Sequence, residues 1–267
     1  MLLNNRTAMD PSKGWHHRDQ IPLADGTNRE APGSALARIS EQFYVGKHWL
    51  SRKPVCYLEE YERVLSPLRD KPIRFLELGV QGGWSMLMWK EFLPNATIVG
   101  VDMAEMPENF PQDERFHFIR SDQADPDLAA KALKAAGGFF DVIVDDASHL
   151  GFLTANSFRH LFPILAPGGT YIIEDIATCF TGCGDFDDAK FPVTHIGVDR
   201  QEKIFSSHQH GIIGFVKQLA DYTQETVALK TNDWNQWPIY RVSLLPNMAV
   251  IDKCGSHLVS PNGCLHP

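Results

Sequence analysis

The sequence predicts an α/β fold of Rossmann-like type, with a mostly parallel doubly wound sheet and an antiparallel C-terminal hairpin. Three observations predict it. Apolar runs of strand length alternate with segments of helical periodicity from "IRFLELG" to "GGTYIIED", and such alternation builds a parallel sheet with helices on both faces. A glycine turn, Gly79 to Gly83, lies at a strand-to-helix junction. The last apolar stretch, "IYRVSLLPNMAVIDK", is two strand-like runs joined at Pro246-Asn247, a hairpin signal.

Residues 1 to about 36 are polar, rich in Gly, Pro and Asn and without periodicity, which predicts a flexible N-terminal arm or lid. Tyr44, Lys47 and His48, in "YVGKHW", precede the core and are placed to fold over a cofactor. "CYLEEYERVLSPL" carries apolar side chains at helical spacing. "IRFLELG" is a strand, and "GWSMLMWKEFL" a helix that stops at Pro94. "TIVGVDM" and "RFHFIRSD" are the next strands, and "PDLAAKALKAAGG" is a helix with glycine at its end. "FFDVIVDD" is the fourth strand, "TANSFRHLFPIL" a helix and "GGTYIIED" the fifth strand. Residues from about 177 to 207 are irregular and read as an insertion above the strand ends, where loops carry substrate contacts. "GIIGFVKQLADY" is a helix before the hairpin. The organisation is an arm over 1–36, one domain over 37–254 and a tail over 255–267.

The chain has 267 residues, 43% hydrophobic and 22% charged, enough to bury a sizeable core. Its net charge is −8 without a long basic run, which argues against nucleic acid as a partner. The start, "MLLNNRTAMD", has too short an apolar stretch for a secretory signal, and no apolar run approaches a membrane span. Five cysteines, an odd number in a long chain, argue against a disulfide framework and for a reducing, cytoplasmic setting.

"RFLELGVQGGWS" places Glu77 at a strand end, then Gly79, Gly82 and Gly83 opening a helix. Asp102 ends the next strand, where an acid about 20 residues after a glycine turn can accept both ribose hydroxyls of a nucleoside. The dinucleotide fingerprint wants glycine where Gln81 stands, which counts against a nicotinamide cofactor. An acid at the third strand, Asp122 with Gln123 beside it, suits the adenine of S-adenosylmethionine. That cofactor has no pyrophosphate to cradle. The cofactor site is therefore assigned to Glu77, Gly79, Gly83 and Ser85 around the turn. Asp102, Asp122, Gln123 and Asp145 complete it from the neighbouring strand ends. The bland reading is a plain glycine turn with two capping aspartates.

Asp145 and Asp146 end the fourth strand, and Glu174 and Asp175 the fifth, so up to four carboxylates converge on the ligand side of the sheet. They cannot all be ionised without a counter-charge. Oxygen-only ligands point to a hard cation, Mg²⁺ or Ca²⁺. His149, three residues beyond Asp146, could take a proton from a substrate hydroxyl held there. Helix capping by Asp146 and Asp175 is the competing explanation, but caps need one acid per strand and not two.

Together these motifs resemble the S-adenosylmethionine-dependent sugar O-methyltransferases of antibiotic biosynthesis, the mycinamicin-type macrolide-sugar enzymes. Cephalosporin-hydroxylase-like proteins share the fold and the acidic motifs. The resemblance rests on "FLELGVQGGWSMLMWKEFLPNATIVGVDM", "SDQAD", "FDVIVDDASH" and "LFPILAPGGTYIIEDIATCF", over roughly residues 40 to 180. Ala147 stands where the family's turn has glycine. The resemblance implies a class I methyltransferase fold, S-adenosyl-L-methionine and Mg²⁺ as cofactors, Asp146, Glu174 and Asp175 as metal ligands and His149 as catalytic base. The implied acceptor is a small hydroxylated molecule, a sugar moiety above all.

Weaker signals carry bland readings. Cys179 and Cys183 lack a second close pair for zinc. His208 and His210 line the substrate mouth or a metal, or merely form an exposed helix start. Trp234 and Trp237 stack on a sugar face or pack in the core or between subunits of a homo-oligomer. Two other functions compete with methyl transfer. An oxygenase of the cephalosporin-hydroxylase type would want two histidines and a carboxylate on iron. A cofactor-binding subunit without activity would not need the base.

Overall fold

The structure is a computed structural model, and it describes residues 34–44, 53–180, 211–228, 237–255, 259–260 and 263–264. Two helices lead in, α1 (Ala35–Tyr44) and α2 (Val55–Leu65). The alternating body follows: β1 (Arg74–Leu78), α3 (Trp84–Phe92), β2 (Thr97–Asp102), β3 (Phe116–Arg120), α4 (Leu128–Ala136), β4 (Phe140–Asp145), α5 (Gly151–Leu161) and β5 (Leu165–Glu174). After α6 (Gly211–Ala228) the chain closes with β6 (Ile239–Leu245) and β7 (Met248–Lys253). A small pair, β8 (Val259–Ser260) and β9 (Gly263–Cys264), lies in the segment expected to be a tail.

The seven strands run in the order β3-β2-β1-β4-β5-β7-β6. Pairs among β1 to β5 are parallel, whereas β7 pairs antiparallel with both β5 and β6. This is the doubly wound sheet with a C-terminal hairpin that the sequence predicted. Strand order reverses between β1 and β4, which opens a crevice at the carboxyl ends of those strands.

Pleating divides the core. Phe75, Val142, Val144, Ile172 and Val250 face α1, α2 and α3, where Leu36, Tyr57, Tyr61 and Trp89 pack on them. Leu76, Val99, Ile143, Tyr171 and Ile251 face the opposite layer, with Leu128 from α4, Phe158 from α5 and Ile212 from α6. Both faces of a central parallel strand are buried, so its residues read as an apolar run and not an alternation.

Boundaries differ from expectation by a few residues. α5 starts at Gly151 and β5 at Leu165, each three residues before the predicted start. β5 begins with a register shift against Phe140, a local irregularity that hydrophobic pattern does not encode. Residues 1–33 of the expected arm lie outside the described residues. The last residues assigned to the arm, Ala35 and Leu36, already belong to α1. Beyond its first residues the 177–207 insertion, with Cys183, also lies outside the described residues, as do Lys47, His48, His208, His210 and Trp234. Trp237 packs against Phe158 and Phe162, which bears out its reading as core. Cys254 is disulfide-bonded, against the expectation of a chain without disulfides; cysteine spacing alone does not reveal such a pairing. No helix among the described residues is long and apolar enough to cross a membrane.

Candidate active site

The glycine turn after β1 is shaped by its neighbour. Gly79 has φ +88°, and a Cβ there would lie 2.0 Å from the carbonyl oxygen of Asp146. The turn therefore runs directly against the end of β4, and only glycine allows that approach. Gly83, also left-handed at φ +80°, is the N-cap of α3. Gln81 adopts φ 46° and donates its N–H to Asp102 Oδ2 at 2.8 Å. Asp102 Oδ1 accepts from the N–H of Ala104. The carboxylate thus pins the turn and keeps further lone pairs for a diol.

The other residues assigned to the cofactor sit at different depths. Asp122 is exposed and accepts from Ala124 N–H. Gln123 is buried, donating to Ser157 Oγ at 2.8 Å and accepting from Ser148 N–H. It fastens the Asp-Ala-Ser-His turn to α5. Glu77 and Ser85 lie beneath the glycine turn, where Glu77 Oε2 accepts from Ser85 Oγ and Trp89 Nε1, each at 2.9 Å. Asp145 is buried under Tyr171, and burial pushes its carboxyl up to about 7.

Pleating also separates the doubled acids. Successive side chains leave opposite faces of a strand, so Asp145 enters the α4–α6 layer while Asp146 joins Glu77 and Glu174 on the α1–α3 side. There the three carboxylates enclose an ammonium. Lys53 Nζ lies 2.7 Å from Asp146 Oδ2, 2.5 Å from Glu174 Oε1 and 3.2 Å from Glu77 Oε1. Burial opposes the charge on Lys53, but the three carboxylates outweigh it and hold its pKa well above the usual lysine range. Burial pushes Glu77 and Glu174 upward as well, Glu174 far above the carboxylate range. Tyr61 donates its hydroxyl to Glu174.

A second network lies outside the first. His149, at φ 57°, and Asp175, at φ 55°, both stand in the left-handed region, which costs a non-glycine residue energy and concentrates at functional sites. His149 Nε2 is 3.5 Å from Asp175 Oδ2. Asp175 Oδ1 accepts from Tyr57 Oη and from Asn247 Nδ2, both at 2.7 Å. Asn247, at the hairpin tip, also accepts from Ala177 N–H and gives its carbonyl to Tyr57. The capping explanation does not hold for α5, whose N-cap is Leu150 without a side-chain bond.

Among the described residues, two sets bring three ligating atoms within 4.8 Å of one another: Asp146, His149 and Asp175, and Glu77, Asp146 and Glu174. The inner set already holds the Lys53 ammonium. The outer set offers two partly buried carboxylates, whose oxygens fit a hard divalent cation with room for water or hydroxyl oxygens, and an imidazole beside them. Asp146 and Asp175 share that set; Glu174 belongs to the inner one. Neither set contains two histidines.

Sequence reasoning missed Lys53, Tyr57, Tyr61 and Asn247. The tyrosines are four residues apart on the stripe of a helix that was legible, and Lys53 continues that spacing. The signal existed, but nothing local ties α2 to strand ends about 90 or more residues away.

Residues 76–176 match the family model described as "Methyltransferase domain". The chain is 34% identical over 178 residues to 8-demethyl-8-alpha-L-rhamnosyl tetracenomycin-C 2'-O-methyltransferase of Streptomyces olivaceus, covering 62% of this chain and 44% of that protein. It is 32% identical over 156 residues to mycinamicin VI 2''-O-methyltransferase of Micromonospora griseorubida, covering 54% of this chain and 37% of that one. The chain thus spans less than half the length of these curated relatives. Its structure resembles that of MycE methyltransferase from the mycinamycin biosynthetic pathway, solved in complex with Mg and SAH. The TM-score is 0.63 at 27% identity, over 82% of this chain and 54% of that one. A second structure of the same enzyme holds Mg, SAH and mycinamycin VI, with the same TM-score. The match to the methyltransferase-domain model is confined to residues 76–176, and the fold is that of the class I methyltransferases.

Proposed function

We propose that this chain is an S-adenosylmethionine- and divalent-metal-dependent O-methyltransferase acting on a hydroxyl of a sugar or glycosylated natural product. The observation that carries the reading is His149. It stands on a strained left-handed backbone between Asp146 and Asp175, beside the glycine turn and at the mouth of the sheet crevice. The names of the relatives support the acceptor class, and the Mg and SAH bound by MycE support the cofactors.

In this reading the nucleoside lies along Gly79–Gly83, with Asp102 accepting from the ribose diol and Asp122 at the adenine end. Mg²⁺ held by Asp146 and Asp175 would orient the acceptor hydroxyl and lower its pKa. His149 takes the hydroxyl proton at Nε2, and the imidazolium so formed faces Asp175 Oδ2. Tyr57 and Asn247 fix that carboxylate and therefore the ring. The acceptor oxygen bonds to the methyl carbon as the carbon–sulfur bond breaks. The sulfonium charge is neutralised, so no oxyanion hole is needed. Most of the acceleration then comes from positioning.

The test is methyl transfer from S-adenosylmethionine to rhamnosylated and other glycosylated acceptors, with His149→Ala alongside. The expected result is transfer that EDTA stops and Mg²⁺ restores, and a loss of about 10²–10⁴-fold in kcat in the variant. Cofactor affinity should be retained. Near-normal kcat in His149→Ala, with chemistry rate-limiting, overturns the base assignment.

A further inference from the structure

Asp122 and Gln123 follow β3 side by side but sit at different depths. Asp122 is exposed, whereas Gln123 is 8% exposed and reaches inward to α5 and to the turn after β4. The hydrogen bonds fix which way its amide points. Ser157 Oγ has one proton, which it donates to the Leu153 carbonyl at 3.0 Å. Toward Gln123 it can therefore only accept, and Nε2 is the group that donates to it at 2.8 Å. Oε1 is left for the N–H of Ser148, at 3.2 Å. Both ends of this buried amide are thus engaged by the protein.

The turn held by this amide carries His149. At φ 57°, His149 keeps a conformation that a non-glycine residue retains only where its surroundings fix it. The chain is fixed on both sides of it. Before His149, Ser148 N–H is bound by Gln123; after it, Leu150 N–H donates to Ser148 Oγ at 3.2 Å. Thr178 donates to the His149 carbonyl at 3.4 Å, a longer contact. The Leu150 bond lies within the turn and moves with it. The Gln123 bond instead ties the turn to a different strand end and, through Ser157, to α5. Resting on the base assignment above, we infer that Gln123 is a positioning residue whose side chain holds the left-handed turn that aims His149, and does not serve the adenine. The sequence alone had assigned it to the cofactor. Its neighbour Asp122 is the one whose carboxylate is exposed.

The experiment compares Gln123→Met with wild type, both as full chains, in three measurements. They are kcat for methyl transfer to a rhamnosylated acceptor with both substrates saturating, S-adenosylhomocysteine affinity by calorimetry, and amide hydrogen exchange at Ser148 to Leu150. Methionine fills the volume without an amide donor or a carbonyl acceptor. kcat should fall about 10–10²-fold, the scale of a misplaced reacting group. The Kd for S-adenosylhomocysteine should change less than about threefold. Exchange at Ser148 to Leu150 should quicken about tenfold, the equivalent of one hydrogen bond. A Kd raised more than about tenfold beside near-normal kcat assigns the amide to the adenine and overturns the inference. A parallel loss in kcat and affinity also overturns it, because general loosening of the site explains both. Unchanged kcat does the same. A wild-type chain that transfers no methyl group defeats the proposed function instead. Exchange then decides alone: quickening supports Gln123 as the holder of the turn, and unchanged exchange refutes it. Should Gln123→Met fail to fold, Ser157→Ala removes the anchor of the amide in its place. A kcat about 3–10-fold lower at unchanged Kd then supports the inference, and an unchanged kcat refutes it.

Discussion

Single residues in this chain are chosen by what presses on them. Gly79 shows it most directly. Its φ of +88° disfavours any side chain, and the Asp146 carbonyl would stand 2.0 Å from a Cβ. The obstruction is backbone, which cannot rotate away. Gly79→Ala should therefore cost at least about 2–3 kcal/mol of folding stability and displace the Asp146 end of β4. Urea denaturation measures the first effect. A change below about 0.5 kcal/mol would mean that the turn and β4 do not touch. The doubled acids are the opposite case, in which neighbours in sequence are not neighbours in chemistry. Asp145 is sealed beneath Tyr171 while Asp146 meets Lys53. Sequence showed four acids at two adjacent strand ends. It did not show that the pleat sends Asp145 and Asp146 to opposite faces of the sheet.

At the scale of elements, α1 and α2 are joined by a carboxylate. Ser34 caps α1, its hydroxyl accepting from Ala37 N–H at 3.1 Å. Glu62 on α2 accepts from the Ser34 hydroxyl and from the N–H groups of Ala35 and Leu36. An anion at a helix N-terminus is stabilised by the unpaired N–H groups and the helix dipole. Burial raises the Glu62 pKa, but these bonds outweigh it and the net shift is downward. The folded pKa lies below the unfolded one, so the contribution is complete above the ordinary glutamate range. It is lost as pH falls through the folded pKa. Glu62→Gln should cost about 0.5–2 kcal/mol near neutral pH, the range of a lost N-cap, and the difference from wild type should shrink in acid. Melting curves at pH 7 and pH 3 test this; an equal difference at both would exclude the charge as the cause. The hairpin is a second such join. Its tip residue, Asn247, was legible only as a turn, yet its amide holds Asp175.

For the whole molecule, the reading places a nucleoside cofactor in a crevice that only the folded chain possesses. A ligand that binds the native state alone stabilises it by mass action. S-adenosylhomocysteine at about 100 times its Kd should add about 2.7 kcal/mol, visible as a rise in Tm. Asp102→Ala should weaken that binding by about 1.5–3 kcal/mol, the scale of hydrogen bonds to a charged group, and remove most of the rise. An unchanged Tm at saturating concentration would place the nucleoside elsewhere, and an unchanged affinity in Asp102→Ala would free Asp102 of the ribose.

The sequence by itself determined the order of strands and helices, the glycine turn, the hairpin and the acidic strand ends with His149 close behind. Each of these is written in local terms: hydrophobic period, turn residues and charge within a few positions. Only the tertiary structure decided how the acids are shared out. Lys53, just before α2, lies 93 positions from Asp146 in sequence, yet it supplies the counter-charge that the carboxylates required. Asn247 comes 72 positions after Asp175 and still orients it. Buried charge must be compensated wherever it stands, but the compensating group can come from any element that packs there. That choice belongs to the packing of the layers and is invisible to local pattern.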